Sequence, residues 1–192
     1  MARLFSWVLN IVYLALVAVC SPLILWQAFR TGKYREGYRE KFLGLVPVRE
    51  GNATCVWIHA VSVGEVNLLA TLLREWRTAH PKWQFVISTT SRAGYELACK
   101  KYADLTVFYC PLDFSWAVRT AMARVRPTVL VLAELELWPN LIAAAREQGA
   151  RIAIINGRLS DRSFPGYRRV RPHVARMHRQ VDMIAAQNAE SA

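Results

Sequence analysis

The sequence predicts an α/β fold in which one transmembrane helix precedes a Rossmann-like open parallel sheet. Three observations predict it. The run from Leu4 to Phe29 holds no charged side chain and is bounded by Arg3 and Arg30. After residue 53, short β-branched or apolar runs alternate with stretches of helical periodicity. An apolar fraction of 54% is high for a soluble protein and low for a multi-span membrane protein, which fits one span plus one globular domain.

At ~1.5 Å per residue the uncharged run exceeds the ~30 Å hydrocarbon core of a bilayer. It is too long for the ~7–15-residue apolar region of a cleaved signal, no A-x-A site follows it, and Val19 stands before Cys20 where a lipoprotein signal wants Gly or Ala. An uncleaved anchor is therefore expected. Arg30, Lys33, Arg35, Arg39 and Lys41 follow the span, against Arg3 before it, so the N-terminus should lie outside and the globular part in the cytosol. Trp7 and Trp26 sit near the ends, as interface anchors do.

Residues 1–29 form the anchor, 30–53 a basic juxtamembrane segment, and 54–192 the Rossmann-like domain. Strands are expected at Thr54–His59, Gln84–Thr89, Leu105–Tyr109, Thr128–Ala133, Arg151–Ile155 and Val181–Ala186. Helices are expected near Val66–Ala79, Ala93–Lys101, Phe114–Val125 and Asn140–Gln148. In the first of these Val66, Leu69, Leu72, Leu73 and Trp76 share one face, the mark of a core stripe. Strand and helix in regular alternation imply parallel pairing through right-handed crossovers. Near the C-terminus Tyr167, Val170, Val174 and Met177 have amphipathic spacing, but Pro172 requires a helix that begins or kinks there.

A net charge of +11 and a pI near 10.0 imply an anionic partner without naming it. The charge gathers behind the anchor and at Arg162, Arg168, Arg169, Arg171, Arg176 and Arg179. Beside a membrane anchor this favours anionic lipid over nucleic acid. Cys20, Cys55, Cys99 and Cys110 form no C-x-x-C pair and read as reduced thiols. Neither they nor His59, His80, His173 and His178 have metal-ligand spacing, so no metal and no cofactor are expected.

An open parallel sheet binds ligands at the carboxyl ends of its strands. The first strand leads into Ala60-Val61-Ser62-Val63-Gly64-Glu65, with one glycine and a carboxylate where a dinucleotide fingerprint would cradle phosphate. Glu65 could serve as a general base or complement the helix macrodipole. The fourth strand leads into Glu134-Leu135-Glu136-Leu137-Trp138-Pro139-Asn140, where paired acids directly after an apolar run mark either a site or a helix start with Pro139 in its first turn. Arg158, Ser160 and Arg162 follow the fifth strand and offer donors for phosphate or sugar oxygens, or a solvated loop.

With Gly32 to Lys41, Trp57 to Glu65 and Asn156 to Tyr167, these segments together resemble the bacterial 3-deoxy-D-manno-octulosonic acid (Kdo) transferases over nearly the whole chain. The resemblance implies the N-terminal half of a GT-B glycosyltransferase, an inner-membrane protein that receives a phosphorylated lipid A precursor. It implies CMP-Kdo as donor, held by a C-terminal domain expected beyond Ala192, and inverting transfer without a metal. It maps the catalytic base onto Glu65 and the second acid onto Glu136, with Ser62, Gly64, Glu134, Asn140, Arg158, Ser160 and Arg162 around the acceptor. Residues 1–192 alone are expected to transfer nothing. Leu135 departs from the threonine often found between the two acids, and Ser91-Arg92-Ala93-Gly94 matches the family's turn loosely. Two other readings compete: another membrane-associated GT-B enzyme with a nucleotide sugar and lipid acceptor, and a non-catalytic module for anionic lipid or nucleic acid.

Overall fold

The computed structural model describes residues 2–31, 36–134, 138–157 and 179–186. Helix α1 (Ala2–Thr31) is followed by a short α2 (Tyr38–Leu43) and then by β1 (Cys55–His59), α3 (Val63–Ala79), β2 (Gln84–Thr89), α4 (Arg92–Lys101) and β3 (Thr106–Tyr109). The second half runs α5 (Ser115–Val125), β4 (Val129–Ala133), α6 (Pro139–Glu147), β5 (Arg151–Gly157) and β6 (Met183–Ala186). All pairings are parallel and the sheet order is β3-β2-β1-β4-β5-β6. This is the open Rossmann-like sheet the alternation predicts.

The strand period of two divides the core between the faces of the sheet. Trp57, Phe108, Leu130 and Leu132 point to the face covered by α5 and α6, where Trp57 meets Phe108 edge-on at 5.2 Å. Ile58, Val131 and Ala133 point to the other, where Val66, Leu69 and Leu73 of α3 close the layer. Trp76 stacks on Phe85 at its rim, so Val66, Leu69, Leu73 and Trp76 of the predicted stripe are core, while Leu72 is half-buried outside that cluster.

Helix α2 has no counterpart among the elements expected from periodicity, and it packs on the domain. Its C-cap Gly44 has φ 67°, and a Cβ there would stand 1.9 Å from the Ala117 carbonyl oxygen, so α2 and α5 approach at a distance only glycine permits. Lys41 O accepts from Leu112 N, Phe42 O accepts from Trp116 Nε1, and Val46 is fully buried in the α5/α6 core. Local propensity gives so short a helix little support, and tertiary contacts hold it.

Helix α1 carries the one segment among the described residues long and apolar enough to cross a membrane, Phe5–Leu23, with mean hydropathy 1.9. It also touches the domain. Asn10 Nδ2 donates to Ser115 Oγ at 2.7 Å, Ser115 N donates to Asn10 Oδ1 at 3.0 Å, and Tyr13 OH donates to Asp113 Oδ2 at 3.2 Å. These bonds set the strand-end loop after β3 against the first half of α1.

Candidate active site

Strand order reverses between β1 and β4, which pair with His59 opposite Leu132 at their ends. In an open parallel sheet such a switch point leaves a crevice outside the carboxyl ends of the strands. The segments beginning at Ala60 and at Glu134 therefore leave neighbouring strands at the same edge. These are the two segments whose carboxylates the sequence singles out.

Glu65 lies in the first turn of α3 and is 5% exposed. Its Oε2 accepts from Val61 N at 2.7 Å and its Oε1 from the Ser62 hydroxyl at 2.7 Å, while Ser62 Oγ, the N-cap, faces Glu65 N at 3.4 Å. S-V-G-E is thus a capping box, an S-x-x-E spacing that satisfies the orphan donors at a helix start. The same loop is stapled to its neighbour, because Val61 O accepts from the Ser91 hydroxyl at 3.0 Å and from the Thr90 hydroxyl at 3.4 Å. Ser62 and Gly64 are exposed, and a Cβ on Gly64 would meet nothing closer than Ser62 Oγ at 3.7 Å, so the approach over this turn is open.

Glu134 is exposed and holds φ 67°, a left-handed conformation that costs a residue with a Cβ roughly 1–2 kcal/mol. Its amide donates to Ile155 O at 2.8 Å, which fixes the turn. Strain of this kind collects at functional edges. Asn140, by contrast, is 3% exposed and its Nδ2 donates to Asp113 O at 2.6 Å, a structural joint at the start of α6.

Asp113 organises this corner. It is 4% exposed, its Oδ1 accepts from Leu141 N at 2.9 Å and its Oδ2 from Asn140 N at 3.1 Å. The carboxylate caps α6 from a distant loop and also holds the Tyr13 hydroxyl. Burial pushes its pKa up to about 7, against the two amides and the hydroxyl that favour the charged form. His59, fully buried at the end of β1, bonds Ser88 through Nδ1 at 2.9 Å, and its Nε2 has no partner among the described residues. Burial lowers its pKa to about 4, so it stays neutral, and its ring meets Trp138 edge-on at 6.1 Å.

The juxtamembrane segment reaches the same edge. Tyr109, the last residue of β3, donates its hydroxyl to Glu36 Oε2 at 3.0 Å and its amide to Glu40 Oε2 at 2.7 Å, and Lys41 Nζ sits 4.0 Å over its ring. Burial raises the pKa of Glu40 and lowers that of Lys41. Arg92, beginning α4, lies 3.6 Å from Glu36. The membrane-proximal chain is thereby fastened beside the candidate site.

Of the residues the sequence nominates, Ser62, Gly64, Glu65 and Glu134 gather at the switch point, and Asn140 lies beneath it. Glu136, Arg158, Ser160 and Arg162 fall outside the described residues, as do the helix expected around Pro172 and most of the C-terminal basic cluster. The organising role of Asp113 had no local signal, since its partners are 27, 28 and 100 residues away.

The sequence profile of the family described as 3-deoxy-D-manno-octulosonic-acid transferase (kdotransferase) matches residues 36–192. A 3-deoxy-D-manno-octulosonic acid transferase of Chlamydia trachomatis serovar D is 37% identical over 147 residues, covering 76% of this chain and 34% of that protein. The one from Haemophilus influenzae is 32% identical over 186 residues, covering 92% of this chain and 42% of that protein. The chain thus spans well under half the length of these relatives. Among solved structures, Acinetobacter baumannii MurG superposes with a TM-score of 0.52 at 10% identity, over 73% of this chain and 43% of its own, a likeness of fold alone. The profile, the relatives and the parallel sheet agree: the chain belongs to the Kdo transferase family.

Proposed function

We propose that this chain is the acceptor-binding part of a glycosyltransferase that moves Kdo from CMP-Kdo to a phosphorylated lipid A precursor in lipopolysaccharide biosynthesis. The observation that carries it is the switch point between β1 and β4, where two acid-bearing segments meet at an edge fastened to the membrane-proximal chain. In this reading Glu65 is the general base. An acceptor hydroxyl attacks the anomeric carbon of Kdo with inversion, the bond to the CMP phosphate breaks, CMP departs, and the hydroxyl proton passes to Glu65.

Both Glu65 oxygens already accept a bond from α3's cap, yet each carboxylate oxygen has a second lone pair. Ser62, Gly64 and Glu134, which leave the same sheet edge, are assigned to the acceptor from the sequence. Glu136, as second acid, and Arg158, Ser160 and Arg162, as phosphate and sugar donors, complete the assignment from the sequence. Asn140 enters through its joint with Asp113. CMP-Kdo is held by a second domain across the cleft, and the transfer invokes no metal.

The anchor is the single-pass helix α1, in the inner membrane, with the domain on the cytoplasmic side. The basic segment behind the anchor holds the domain against the anionic cytoplasmic surface, where an acceptor with acyl chains presents its sugar. The test is Glu65→Gln in an enzyme in which this chain is joined to its donor domain: transfer should fall by about 10²–10⁴ with folding intact. Turnover near that of the parent would return Glu65 to capping alone.

A further inference from the structure

Apart from Trp7 and Trp26, the hydrogen-bonding side chains of the uncharged run are Ser6, Asn10, Tyr13, Cys20, Ser21 and Gln27. Ser21 is satisfied within the helix, donating its hydroxyl to Ala18 O at 2.8 Å. The rest follow one another at intervals of four, three, seven and seven residues, the repeat of a seam between two helices. Val17 fits the same repeat between Tyr13 and Cys20. On the opposite side of the helix Val8, Val12 and Val19 are apolar and exposed. Helix α1 therefore carries a polar seam and a hydrocarbon face.

The structure shows what this seam requires. Asn10 is 5% exposed, and its amide both donates to Ser115 Oγ and accepts from Ser115 N, while Tyr13 donates to Asp113. Once α1 crosses the bilayer these partners are gone, because Asn10 stands ~30 Å of helix from Arg30, beyond which the domain begins. Asn10 then lies ~10 Å from the midpoint of the run, inside the hydrocarbon, where no water replaces Ser115. An unsatisfied amide there is costly, and the described residues hold no second span to meet it. A second copy of α1 does meet it. Every copy inserts in the same direction, so a parallel pair about a two-fold axis sets Asn10 against Asn10 at one depth. An amide carries donor and acceptor together and is complementary to itself, and the exchange it offers a second Asn10 is the one it makes with Ser115.

We propose that α1 pairs in the membrane with α1 of a second copy of this chain, through the seam of Ser6, Asn10, Tyr13, Val17, Cys20 and Gln27. The two helices cross at about 20°, as membrane helices with a repeat of 3.5 residues do. The Asn10 amides bond each other, the Cys20 thiols adjoin, and Val8, Val12 and Val19 stay in lipid. The proposal goes beyond the transfer reaction and rests on the reading of α1 as a spanning helix.

The test uses residues 1–192 carrying Cys99→Ser in phospholipid liposomes, since Cys55 and Cys110 are buried. Mild oxidation should join two chains through Cys20. Moving the thiol to the hydrocarbon face, by Cys20→Ser with Val19→Cys, should abolish that product. Energy transfer between copies labelled at the C-terminus, followed as lipid is added, gives the dissociation constant of the pair. Asn10→Leu should raise it about 3- to 20-fold, the worth of one hydrogen bond between membrane helices, and Asn10→Gln should hold it near the parent value. An unchanged constant in Asn10→Leu, or equal cross-linking from both faces, overturns the proposal. Monomers at every lipid dilution, in a chain that resists alkaline extraction, overturn the pairing and leave α1 a spanning helix. Release of the chain by alkali overturns the spanning reading and this proposal with it. In isolated membranes, a Cys20 adduct of another mass in place of the dimer assigns the seam to a different protein and overturns the pairing of copies.

Discussion

The Ser62 hydroxyl donates to Glu65 Oε1 at 2.7 Å while the Ser62 oxygen faces the Glu65 amide at 3.4 Å, so the two residues cap α3 by serving each other. A glutamine at position 65 can still accept from Val61 N, because capping boxes accept either residue. Glu65→Gln should therefore change stability by less than about 0.5 kcal/mol, whereas Glu65→Ala should cost about 1 kcal/mol. Denaturant unfolding of both variants separates the cap from the chemistry. A large loss of stability in the glutamine variant would mean that the charge itself holds the turn.

Gly44 offers a test of how α2 is fastened. Replacing it with alanine adds the roughly 1–2 kcal/mol cost of a left-handed residue to a collision 1.9 Å from Ala117 O. Gly149 has φ 78° with nothing within 4 Å of the place a Cβ would take, so Gly149→Ala should show the conformational cost alone. Thermal melts should place the Gly44 variant roughly 4–8 °C below the parent and clearly below the Gly149 variant. Equal melting of the two would show that α2 yields without strain.

Asp113 predicts a pH dependence. Its folded pKa of about 7 lies above the ~3.9 of an unfolded aspartate, so the native state binds the extra proton. That stability is complete below about pH 4 and is lost as pH rises towards 7, with a slope of at most about 1.4 kcal/mol per pH unit. Asp113→Asn should flatten this part of the curve in chemical denaturation between pH 4 and 7. A curve of unchanged slope in the variant would assign the titration elsewhere.

Asn10 lies about 30 Å of helix from Arg30, so an α1 that crosses the bilayer with the domain in the cytosol must part from Ser115 when the chain is embedded. A cysteine pair at positions 10 and 115 should therefore fail to cross-link under mild oxidation in isolated membranes. Formation of that cross-link would show that α1 lies along the domain and does not cross the bilayer. A reporter at Ala192 should be cytoplasmic, and periplasmic phosphatase activity there would reverse the proposed orientation.

The sheet was legible because its signals are local. Val56, Ile58, Val131 and Ala133 alternate with Trp57, Leu130 and Leu132 across two buried faces, and the runs stand out between polar turns. Gln84–Thr89 lies where that pattern puts it. Helix α2 was not legible, because Tyr38–Leu43 buries no residue of its own and is held by glycine-mediated approach and by Tyr109, far along the chain. In the candidate site, S-V-G-E carried two meanings at once: the residue types suited a base, and the same spacing is a helix cap. Sequence shows the spacing, but only the backbone shows that Val61 N and Ser62 OH occupy the carboxylate. Asp113 carries no such signal, since nothing near it in sequence hints at Tyr13 or α6.

Calorimetry of residues 1–192 in nanodiscs, titrated separately with a phosphorylated lipid A precursor and with CMP-Kdo, tests the central claim most directly. The acceptor-binding assignment predicts saturable binding of the lipid precursor and no heat from CMP-Kdo beyond dilution. Saturable binding of CMP-Kdo with none of the lipid precursor would contradict it.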